Sequence, residues 1–291
     1  MLLITWLGSL GRFWWLFDLL AHFRLQYVLG CVAIGFTAWL CRHSRTAVFA
    51  GVSCVWNVWL IVSIPGSGFA PVEVMQAQKP LRVLTFNVLI TNLQRKAVVE
   101  HVLSTDADIV CLVEVDQSWR KDLEPLYRKY PQHADGLNFG NFSVACFTRL
   151  PMERFEILDV PTLMVHLEHE GRPLTFIGAH PPRPFGEQNF HERMRHIREL
   201  AALLKPLDGE VILACDLNST PWCEGMRLLM EQSGMAFNSV PPVWVPTWGR
   251  DGPLMIPIDH VLVKGGLMVR KREVGPDLGS DHRPVLVEIT R

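Results

Sequence analysis

Between residues 81 and 291, short apolar runs typical of buried strands repeatedly end or begin on Asp, Glu, Asn or His, and no other feature of the sequence constrains the fold as strongly. Six places share this pattern: they are Asn87, Glu114, His180, Asp216 with Asn218, Asp259, and Asp281 with His282. If the strands converge at one edge, these side chains form a single cluster of oxygen ligands and acid–base groups.

The spacing of apolar residues divides this region into strands and helices. The predicted strands are 81–89, 108–115, 142–149, 163–168, 174–179, 210–214, 258–264, 267–273 and 284–289. The predicted helices are 94–104, 187–204 and 221–232, and the last has Thr220 as its N-cap and Pro221 in its first turn. Many strands with few helices predict an α/β fold of two packed sheets flanked by helices.

The Asp281-His282 pair opens the last predicted strand. A carboxylate next to an imidazole can provide a metal contact and a proton acceptor in one place, which hydrolysis at phosphorus needs. Taken alone, an Asp-His dipeptide is more often a turn, and the segment from Asp216 to Asn218 could equally be an Asx-rich turn before a helix. His260 points to the opposite face of its strand from Asp259, which predicts a packed histidine without a catalytic role.

Taken in order, these motifs resemble the set found in the endonuclease/exonuclease/phosphatase superfamily, in particular its membrane-anchored bacterial branch. The motifs are Thr85-Phe86-Asn87-Val88, Leu112-Val113-Glu114-Val115, Ala179-His180-Pro181, Asp216-Leu217-Asn218, Ile258-Asp259-His260 and Ser280-Asp281-His282. The resemblance covers roughly residues 80–291 and is specific as an ordered set, although each member is weak alone. It implies a four-layer α/β sandwich and metal-dependent cleavage of a phosphoester bond.

The resemblance implies a metal site, with Mg²⁺ or Mn²⁺ as the cofactor. Glu114 becomes the main metal ligand, and Asn87 and Asp281 lie close to the metal. Oxygen ligands suit a hard cation of this kind, which neutralises the charge that develops on phosphate. Cys215 departs from the family pattern, because a Gly commonly precedes the Asp at that place. The change narrows the range of backbone conformations available there.

The resemblance also implies the acid–base and phosphate-binding groups. His282 takes a proton from the attacking water, while Asp259 fixes the tautomer of the imidazole and raises its basicity. Asp216 orients that water or protonates the leaving group. Asn218 and His180 donate hydrogen bonds to phosphate oxygens as these gain charge.

The first quarter of the chain is far more apolar than the rest. Residues 1–71 contain five charged side chains, namely Arg12, Arg24, Arg42, Arg45 and Asp18, and six of the ten Trp lie before residue 60. This composition predicts a membrane anchor at 1–64, with spans near 25–41 and 47–64 and a further span or interfacial helix at 2–20. A buried helical hairpin is the alternative. A linker at 65–80 and a catalytic domain at 81–291 complete the predicted organisation.

The charge of the predicted hairpin loop indicates how the anchor is oriented. Arg42 and Arg45 form the densest basic cluster beside any span, so this loop is expected to face the cytoplasm. A multi-pass protein of the bacterial inner membrane would then have its catalytic domain outside, in the periplasm of a Gram-negative cell. Arg24 and Lys79 oppose this orientation, and core thiols such as Cys111 fit a reducing compartment better. On the charge rule, the catalytic domain is nevertheless expected on the outer side of the membrane.

The charge of the catalytic domain bears on its substrate. Residues 72–291 contain 24 Lys and Arg against 28 Asp and Glu, a net charge of −4. Because duplex DNA is usually bound through a basic face, this composition favours small phosphoesters, phospholipid head groups or short nucleic acid. Arg183, Trp248 and Arg250 are the predicted substrate contacts, on loops that follow His180 and precede Asp259.

The sequence is also compatible with two other functions. One is a nuclease proper, and the other is a catalytically inactive adaptor that recruits partners to the membrane. Beyond the phosphoester substrate and the lipid bilayer, the sequence makes no obligate protein partner evident.

Overall fold

The computed structural model of the chain describes residues 1–67, 79–137, 140, 143–158, 162–240 and 242–291. Its helices there are α1 (Leu2–Leu7), α2 (Trp15–Ala21), α3 (Arg24–Leu40), α4 (Ser44–Val62), α5 (Arg95–Ser104), α6 (Glu124–Lys129), α7 (Glu187–Leu204) and α8 (Glu224–Ser233). Its strands are β1 (Leu81–Asn87), β2 (Ile109–Val113), β3 (Gln132–Asp135), β4 (Val144–Thr148), β5 (Met152–Leu158), β6 (Thr162–His169), β7 (Arg172–Ala179), β8 (Glu210–Asp216), β9 (Asp259–Lys264), β10 (Met268–Val274) and β11 (Val285–Thr290).

Two mixed β-sheets form the centre of residues 81–291, the predicted catalytic domain, which is called the catalytic part below. One has the strand order β10-β11-β1-β2-β4-β3, and the other has the order β5-β6-β7-β8-β9. Strands β1 and β2 run parallel and are connected through α5, as β7 and β8 are through α7. The carboxyl ends of each parallel pair therefore lie at the same edge of their sheet, which is where the polar strand-end residues stand.

Alternation along the strands distributes apolar side chains between the two faces of each sheet. Val83 of β1 and Ile212 of β8 belong to the core between the sheets. Leu84 packs with α5 and α6 outside the first sheet, and Leu213 packs with α7 and α8 outside the second. The layers are thus helix, sheet, sheet and helix, and the predicted four-layer α/β sandwich is confirmed.

Local differences from the sequence prediction have physical causes. Strands β3 and β5 are absent from the predicted set because both lie at sheet edges, where polar side chains weaken the alternation that marks a buried strand. The prediction of Thr220 as a helix N-cap is wrong, since α8 begins at Glu224 and its N-cap is Cys223. Residues 220–223 instead form a turn, in which the Cys223 N–H donates to the Thr220 carbonyl at 3.0 Å.

The predicted spans near 25–41 and 47–64 correspond to α3 and α4, which pack together as a helical hairpin. The segment 2–20 is not one helix, because the 3₁₀ turn Gly8–Leu10 separates α1 from α2. Among the described residues, α4 alone is long and apolar enough to cross a membrane by itself, and α2 with α3 makes a second candidate, bent by 69°. The membrane anchor and the number of spans stay predictions.

Residues 68–78 of the predicted linker lie outside the described residues, as does residue 142 of the predicted strand 142–149. The start of the linker contacts the catalytic part directly. The carbonyl of Gly66 accepts a hydrogen bond from the N–H of Ser239 at 2.8 Å. Gly66 has a φ of +71°, and a Cβ there would lie 2.6 Å from the backbone nitrogen of Asn238, so this approach requires glycine.

A buried ion pair joins the N-terminal helices to the catalytic part. Asp18 of α2 and Arg193 of α7 both have side chains with 0% exposure, and 2.5 Å separates Oδ2 of Asp18 from Nη2 of Arg193. Beside this pair, Nε1 of Trp222 donates to the carbonyl of Ala21 at 2.9 Å. The corner between α2 and α3 is therefore packed against the catalytic part through specific polar contacts.

Arg193→Met is expected to lower the free energy of unfolding by about 3–5 kcal/mol, because Asp18 then stays buried without its partner. Arg195→Met is the matched control on the same helix. Arg195 forms an exposed ion pair with Glu199 at 3.4 Å, and its loss should change stability by less than about 0.5 kcal/mol. Urea unfolding of the full-length protein, followed by Trp fluorescence, measures both. Equal stabilities of the two variants would show that the buried pair is not needed.

Candidate active site

The polar residues at the strand ends come together in one buried cluster. Asn87 ends β1, Glu114 follows β2, His180 follows β7, Asp216 ends β8 and Asp259 begins β9. None of these five residues is more than 3% exposed. Contacts within the cluster cross from one sheet to the other, so the two sheet edges together form the site.

His282 and Asp259 form a hydrogen-bonded pair at the centre of this cluster. Nδ1 of His282 lies 3.1 and 3.0 Å from the two carboxylate oxygens of Asp259, and Nε2 lies 3.5 Å from Oδ2 of Asp216. Burial alone would lower the pKa of His282, but the charges of Asp259 and Asp216 raise it to about 9. Because Asp259 occupies Nδ1, the pair can exchange a proton only at Nε2.

Asp259 is fixed by groups that carry no motif signal in the sequence. The hydroxyl of Thr247 accepts a hydrogen bond from the backbone N–H of Asp259 at 3.1 Å. Arg272 donates from Nη2 to the Asp259 carbonyl, also at 3.1 Å. Burial raises the pKa of Asp259, and the charge of Asp216 raises it further, whereas His282 opposes both effects.

Asp216 connects the two sides of the site. Its Oδ1 accepts the backbone N–H of Asn218 at 2.9 Å, and its Oδ2 accepts Nδ2 of Asn87 at 3.1 Å and lies 3.4 Å from Nε2 of His180. Burial raises the pKa of Asp216, but the charge of His282 and the contact with His180 lower it below the usual range. The carboxylate is therefore ionised at neutral pH. Of the two expected roles, orienting water fits this state, since a general acid must carry a proton.

Glu114 stands in the left-handed backbone region, with a φ of +57°. This uncommon conformation ends β2 and is typical of functional sites. Oε1 of Glu114 accepts hydrogen bonds from Nδ2 of Asn87 at 3.0 Å and from Nη2 of Arg183 at 3.1 Å, and it lies 3.8 Å from Nε2 of His180. This carboxylate oxygen is thus held by two hydrogen-bond donors, with the His180 ring close to it.

The surroundings of Glu114 fit a divalent cation. Glu114 and Asp281 provide carboxylate oxygens, and Oδ1 of Asp281 is buried without a hydrogen-bond partner among the described residues. The Arg183 guanidinium contacts Glu114; burial alone would lower its pKa, but the charges of Glu114, Asp281 and Asp216 raise it. Positive charge is therefore stabilised at this position, and hard cations prefer oxygen donors of this kind.

A second group of side chains could also hold a metal. Ligand atoms of Asp216, Asp259 and His282 all lie within 4.8 Å of one another. Because both oxygens of Asp259 already accept from His282, we assign this group to proton transfer. Asn87 turns its amide nitrogen to the carboxylates, while its Oδ1 accepts the N–H of Leu89 at 3.0 Å. In this arrangement Asn87 positions the carboxylates, and direct metal binding by Asn87 stays a prediction.

Two of the three predicted substrate contacts reach the site. Arg183 lies against Glu114, and Trp248 donates from Nε1 to Oδ2 of Asp281 at 3.0 Å, with its ring centroid 6.4 Å from that of His282. Arg250 is exposed and makes no hydrogen bond or ion pair within the described part of the chain. Its neighbour Gly249 donates its N–H to the carbonyl of Asp281 at 2.9 Å, and a contact of Arg250 with substrate stays a prediction.

Arg193 holds the loop that follows β8, and the sequence gives no signal for this role. Its Nη1 donates to the carbonyl of Asn218 at 2.7 Å and to the hydroxyl of Ser219 at 2.9 Å. Asn218 has a φ of +49°, and its Nδ2 donates to the carbonyl of Pro181 at 3.0 Å. The loop thus presents the amide of Asn218 in one orientation.

His260 lies beneath the same loop and is buried, as expected for a packed histidine. Its Nε2 lies 2.8 Å from the carbonyl of Ser219, and its ring packs edge-on against Phe237 at 5.5 Å. Burial lowers the pKa of His260 to about 3, so the ring is neutral and donates from Nε2. It supports the loop without facing the reacting groups.

Comparison with known proteins places this geometry in a wider context. The sequence model of the endonuclease/exonuclease/phosphatase family matches residues 84–282. A search of curated protein sequences finds no match. Several solved structures are similar in fold.

Three of these solved structures show how different the proteins of similar fold are. TDP2 from D. rerio, in complex with a single-strand DNA product, is 15% identical with a TM-score of 0.62 over 74% of this chain and 100% of that chain. Sphingomyelinase C from Streptomyces griseocarneus is 16% identical with a TM-score of 0.56 over 72% and 99%. A beta toxin variant from Staphylococcus aureus with bound magnesium ions is 15% identical with a TM-score of 0.57 over 72% and 99%. At such identities the likeness shows the fold alone.

The buried, neutral His260 should make the protein sensitive to acid. Its folded pKa of about 3 lies below the ordinary value of 6.5, so between these values the unfolded chain binds a proton that the folded chain does not. The free energy of unfolding therefore falls as the pH drops from 6.5 toward 3. In His260→Gln, which keeps an N–H donor but does not titrate, this contribution should disappear. Urea unfolding at about pH 7.5 and about pH 5 tests this, and an unchanged pH dependence in the variant contradicts it.

Proposed function

Since this chain belongs to the endonuclease/exonuclease/phosphatase family and is a phosphoester hydrolase, we propose that it is a membrane-anchored, divalent-metal-dependent phosphoesterase. It hydrolyses a phosphodiester or phosphomonoester by attack of a water molecule that the Asp259–His282 pair activates. The observation that carries this proposal is the geometry of that pair: Asp259 holds Nδ1, and Nε2 points to the ionised Asp216.

Proton transfer takes place at Nε2 of His282. Asp216 accepts a hydrogen bond from the attacking water, which keeps an oxygen lone pair directed at phosphorus and a proton directed at His282. His282 acts as a base only in its neutral form, and with a pKa of about 9 this form is the minor one at neutral pH unless further positive charge near Glu114 lowers that pKa. When neutral His282 takes the proton, the Asp259 carboxylate stabilises the imidazolium that forms. The 3.0 Å contact between Asp259 and Nδ1 is already made, so no reorganisation is needed in the reaction.

Phosphate binding falls to groups on the other side of the cluster. His180 and the amide of Asn218 donate to the non-bridging oxygens, and Arg183 adds a guanidinium that can bind phosphate through two N–H groups. Glu114 and Asp281 would hold the divalent cation, with Asn87 beside them. Such a cation, Mg²⁺ or Mn²⁺, supplies positive charge that stabilises the transition state and lowers the pKa of nearby groups such as His282.

An inactive adaptor fits this site poorly. Buried carboxylates such as Glu114, Asp216 and Asp259 are unfavourable unless they are compensated, and here they converge with His180 and His282 within hydrogen-bond reach. A protein without activity gains nothing from such a cluster. A nuclease remains the competing activity, and the substrate decides between the two.

The N-terminal helices support a location at a membrane. Large apolar side chains of α3 are exposed, among them Leu29 at 71%, Phe36 at 59% and Trp39 at 66%. Contiguous exposed apolar surface of this kind indicates contact with a membrane or a partner. The basic loop with Arg42 and Arg45 is proposed to face the cytoplasm, which places the catalytic part outside.

Asp259→Asn is expected to lower kcat for bis(p-nitrophenyl) phosphate by about 10²–10⁴-fold, because His282 loses the partner that fixes its tautomer. The matched control is Asp208→Asn, at an exposed position outside the site, and it should retain wild-type kcat. The assay uses the full-length protein with Mg²⁺, and EDTA should abolish the wild-type activity. Hydrolysis that resists EDTA, or that survives Asp259→Asn, refutes the mechanism; strong nicking of plasmid DNA at physiological salt identifies a nuclease instead.

The topology predicts the behaviour of two reporter fusions made after Arg291. The positive-inside rule places the basic loop in the cytoplasm and the catalytic part outside. In a Gram-negative host, the alkaline phosphatase fusion should therefore be active and the fluorescent-protein fusion should be dark. An inactive phosphatase fusion together with a bright fluorescent one would place the catalytic part in the cytoplasm. A signal in the soluble fraction alone would contradict the anchor itself.

A further inference from the structure

An apolar pocket lies beside the phosphate-binding groups, and the N-terminal helices form part of its wall. Its volume is about 160 Å³. Arg183, Asn218 and Trp248 line one end of the pocket, while Leu19 and Phe23, from α2 and the corner before α3, line another part. A side chain of the helical segment therefore lies in the same cavity as groups of the candidate active site.

The remaining wall of the pocket is hydrocarbon except for the imidazole of His22. Pro184, Phe185, Ile256 and Ile258 complete it together with His22. These residues come from the loop after β7 and from the segment before β9. Together with the N-terminal segment and Asn218 after β8, four distant parts of the chain enclose the space.

The wall has few polar groups, and most of them have a partner within the protein, although Arg183 and Asn218 each keep further N–H groups that can donate to a phosphate. Asn218 donates from Nδ2 to the Pro181 carbonyl, Arg183 pairs with Glu114, and Nδ1 of His22 lies 3.6 Å from the sulfur of Cys223. A nucleobase in this pocket would bury its polar edges with few partners, which is unfavourable. A hydrocarbon group needs no such partners, so the lining favours the apolar part of a substrate.

The volume limits the size of that apolar part. A cavity of about 150 Å³ lined by Leu, Ile and Phe side chains binds benzene in another protein. A pocket of 160 Å³ therefore accommodates a group of about six carbons, which matches the beginning of one acyl or alkyl chain. It is too small for two complete lipid tails.

The mouth of the pocket borders exposed apolar side chains. Phe185 is 58% exposed, and Leu254 is 67% exposed on the loop beside Ile256. That loop is attached to α3, because Gln26 donates from Nε2 to the carbonyls of Pro253 and Met255, each at 3.0 Å. A chain that extends beyond the pocket can therefore continue along an apolar surface toward the N-terminal helices.

We propose that this pocket binds the first part of the hydrocarbon chain of a lipid phosphoester whose phosphate lies at Arg183 and Asn218. The assignment rests on the proposed phosphoesterase function and defines its substrate class. Leu19 and Phe23 of the N-terminal segment are then specificity-determining residues, and the N-terminal helices complete the substrate site as well as anchoring it.

Binding of n-alkyl phosphates from ethyl to octyl tests the proposal directly. The full-length protein in lipid nanodiscs, with Mg²⁺, is titrated by calorimetry. Each added methylene should lower the dissociation constant about fourfold until about the sixth carbon, because each CH₂ leaves water for an apolar pocket. Beyond that length the pocket is filled, and the gain per methylene should fall.

Leu19→Trp, which fills the pocket, should raise the dissociation constant of hexyl phosphate at least tenfold relative to that of ethyl phosphate. Leu16→Trp is the matched control, since Leu16 is an exposed residue of the same helix and does not line the pocket. It should leave the chain-length series unchanged. The comparison separates binding in the pocket from partition of alkyl chains into the nanodisc lipid.

Three results would overturn the proposal. One is a dissociation constant that does not depend on chain length. Another is a chain-length dependence that Leu19→Trp leaves intact. The third is tighter binding of a nucleoside monophosphate than of hexyl phosphate, which would assign the pocket to a base. Binding does not require turnover, so a failure of the phosphoesterase proposal shows separately, as absent hydrolysis of bis(p-nitrophenyl) phosphate by a protein that still binds the alkyl series.

Discussion

Compensation of buried negative charge is the constraint on which this structure depends. Glu114, Asp216 and Asp259 are each 1% exposed, and a carboxylate taken out of water without a partner is strongly unfavourable. His282 and Arg183 supply the compensating positive charge. The carboxylates come from strands of two different sheets, so the charges balance only when both sheets are correctly packed. The site and the fold therefore require each other.

The residues of this cluster can be selected from the sequence, because each stands where a buried strand ends or begins. Residues from Asn87 to His282 could be selected from that position alone, although they are far apart in the chain. The sequence does not predict the residues that hold the cluster in place. Arg193 lies on an ordinary amphipathic helix, and its partner Asp18 is 175 positions away. Thr247 acts through its contact with the backbone of Asp259, and such contacts leave no pattern in the sequence.

The same limit explains which parts of the fold escaped prediction. Central strands such as β8 are predicted easily, because both faces are buried and nearly all their residues are apolar. The edge strand β5 is mostly exposed, and its sequence is too polar to predict a buried strand. The apolar pocket could not be predicted from the sequence, for a different reason. Three separate segments contain Leu19, Phe185 and Ile256, and the local sequence of each shows only that it is apolar. Their meeting is a consequence of tertiary packing.

The contacts of the N-terminal helices give them a part in the site itself. Asp18 fixes Arg193, and Arg193 in turn fixes the carbonyl of Asn218, whose side-chain amide is proposed to bind phosphate. A buried pair of this kind transmits position well, because moving either charge leaves the other uncompensated. The same helical segment provides Leu19 to the pocket. One element therefore helps to position both the residue that we propose to bind phosphate and the apolar space beside it, as expected if the substrate joins a phosphate to a hydrocarbon chain.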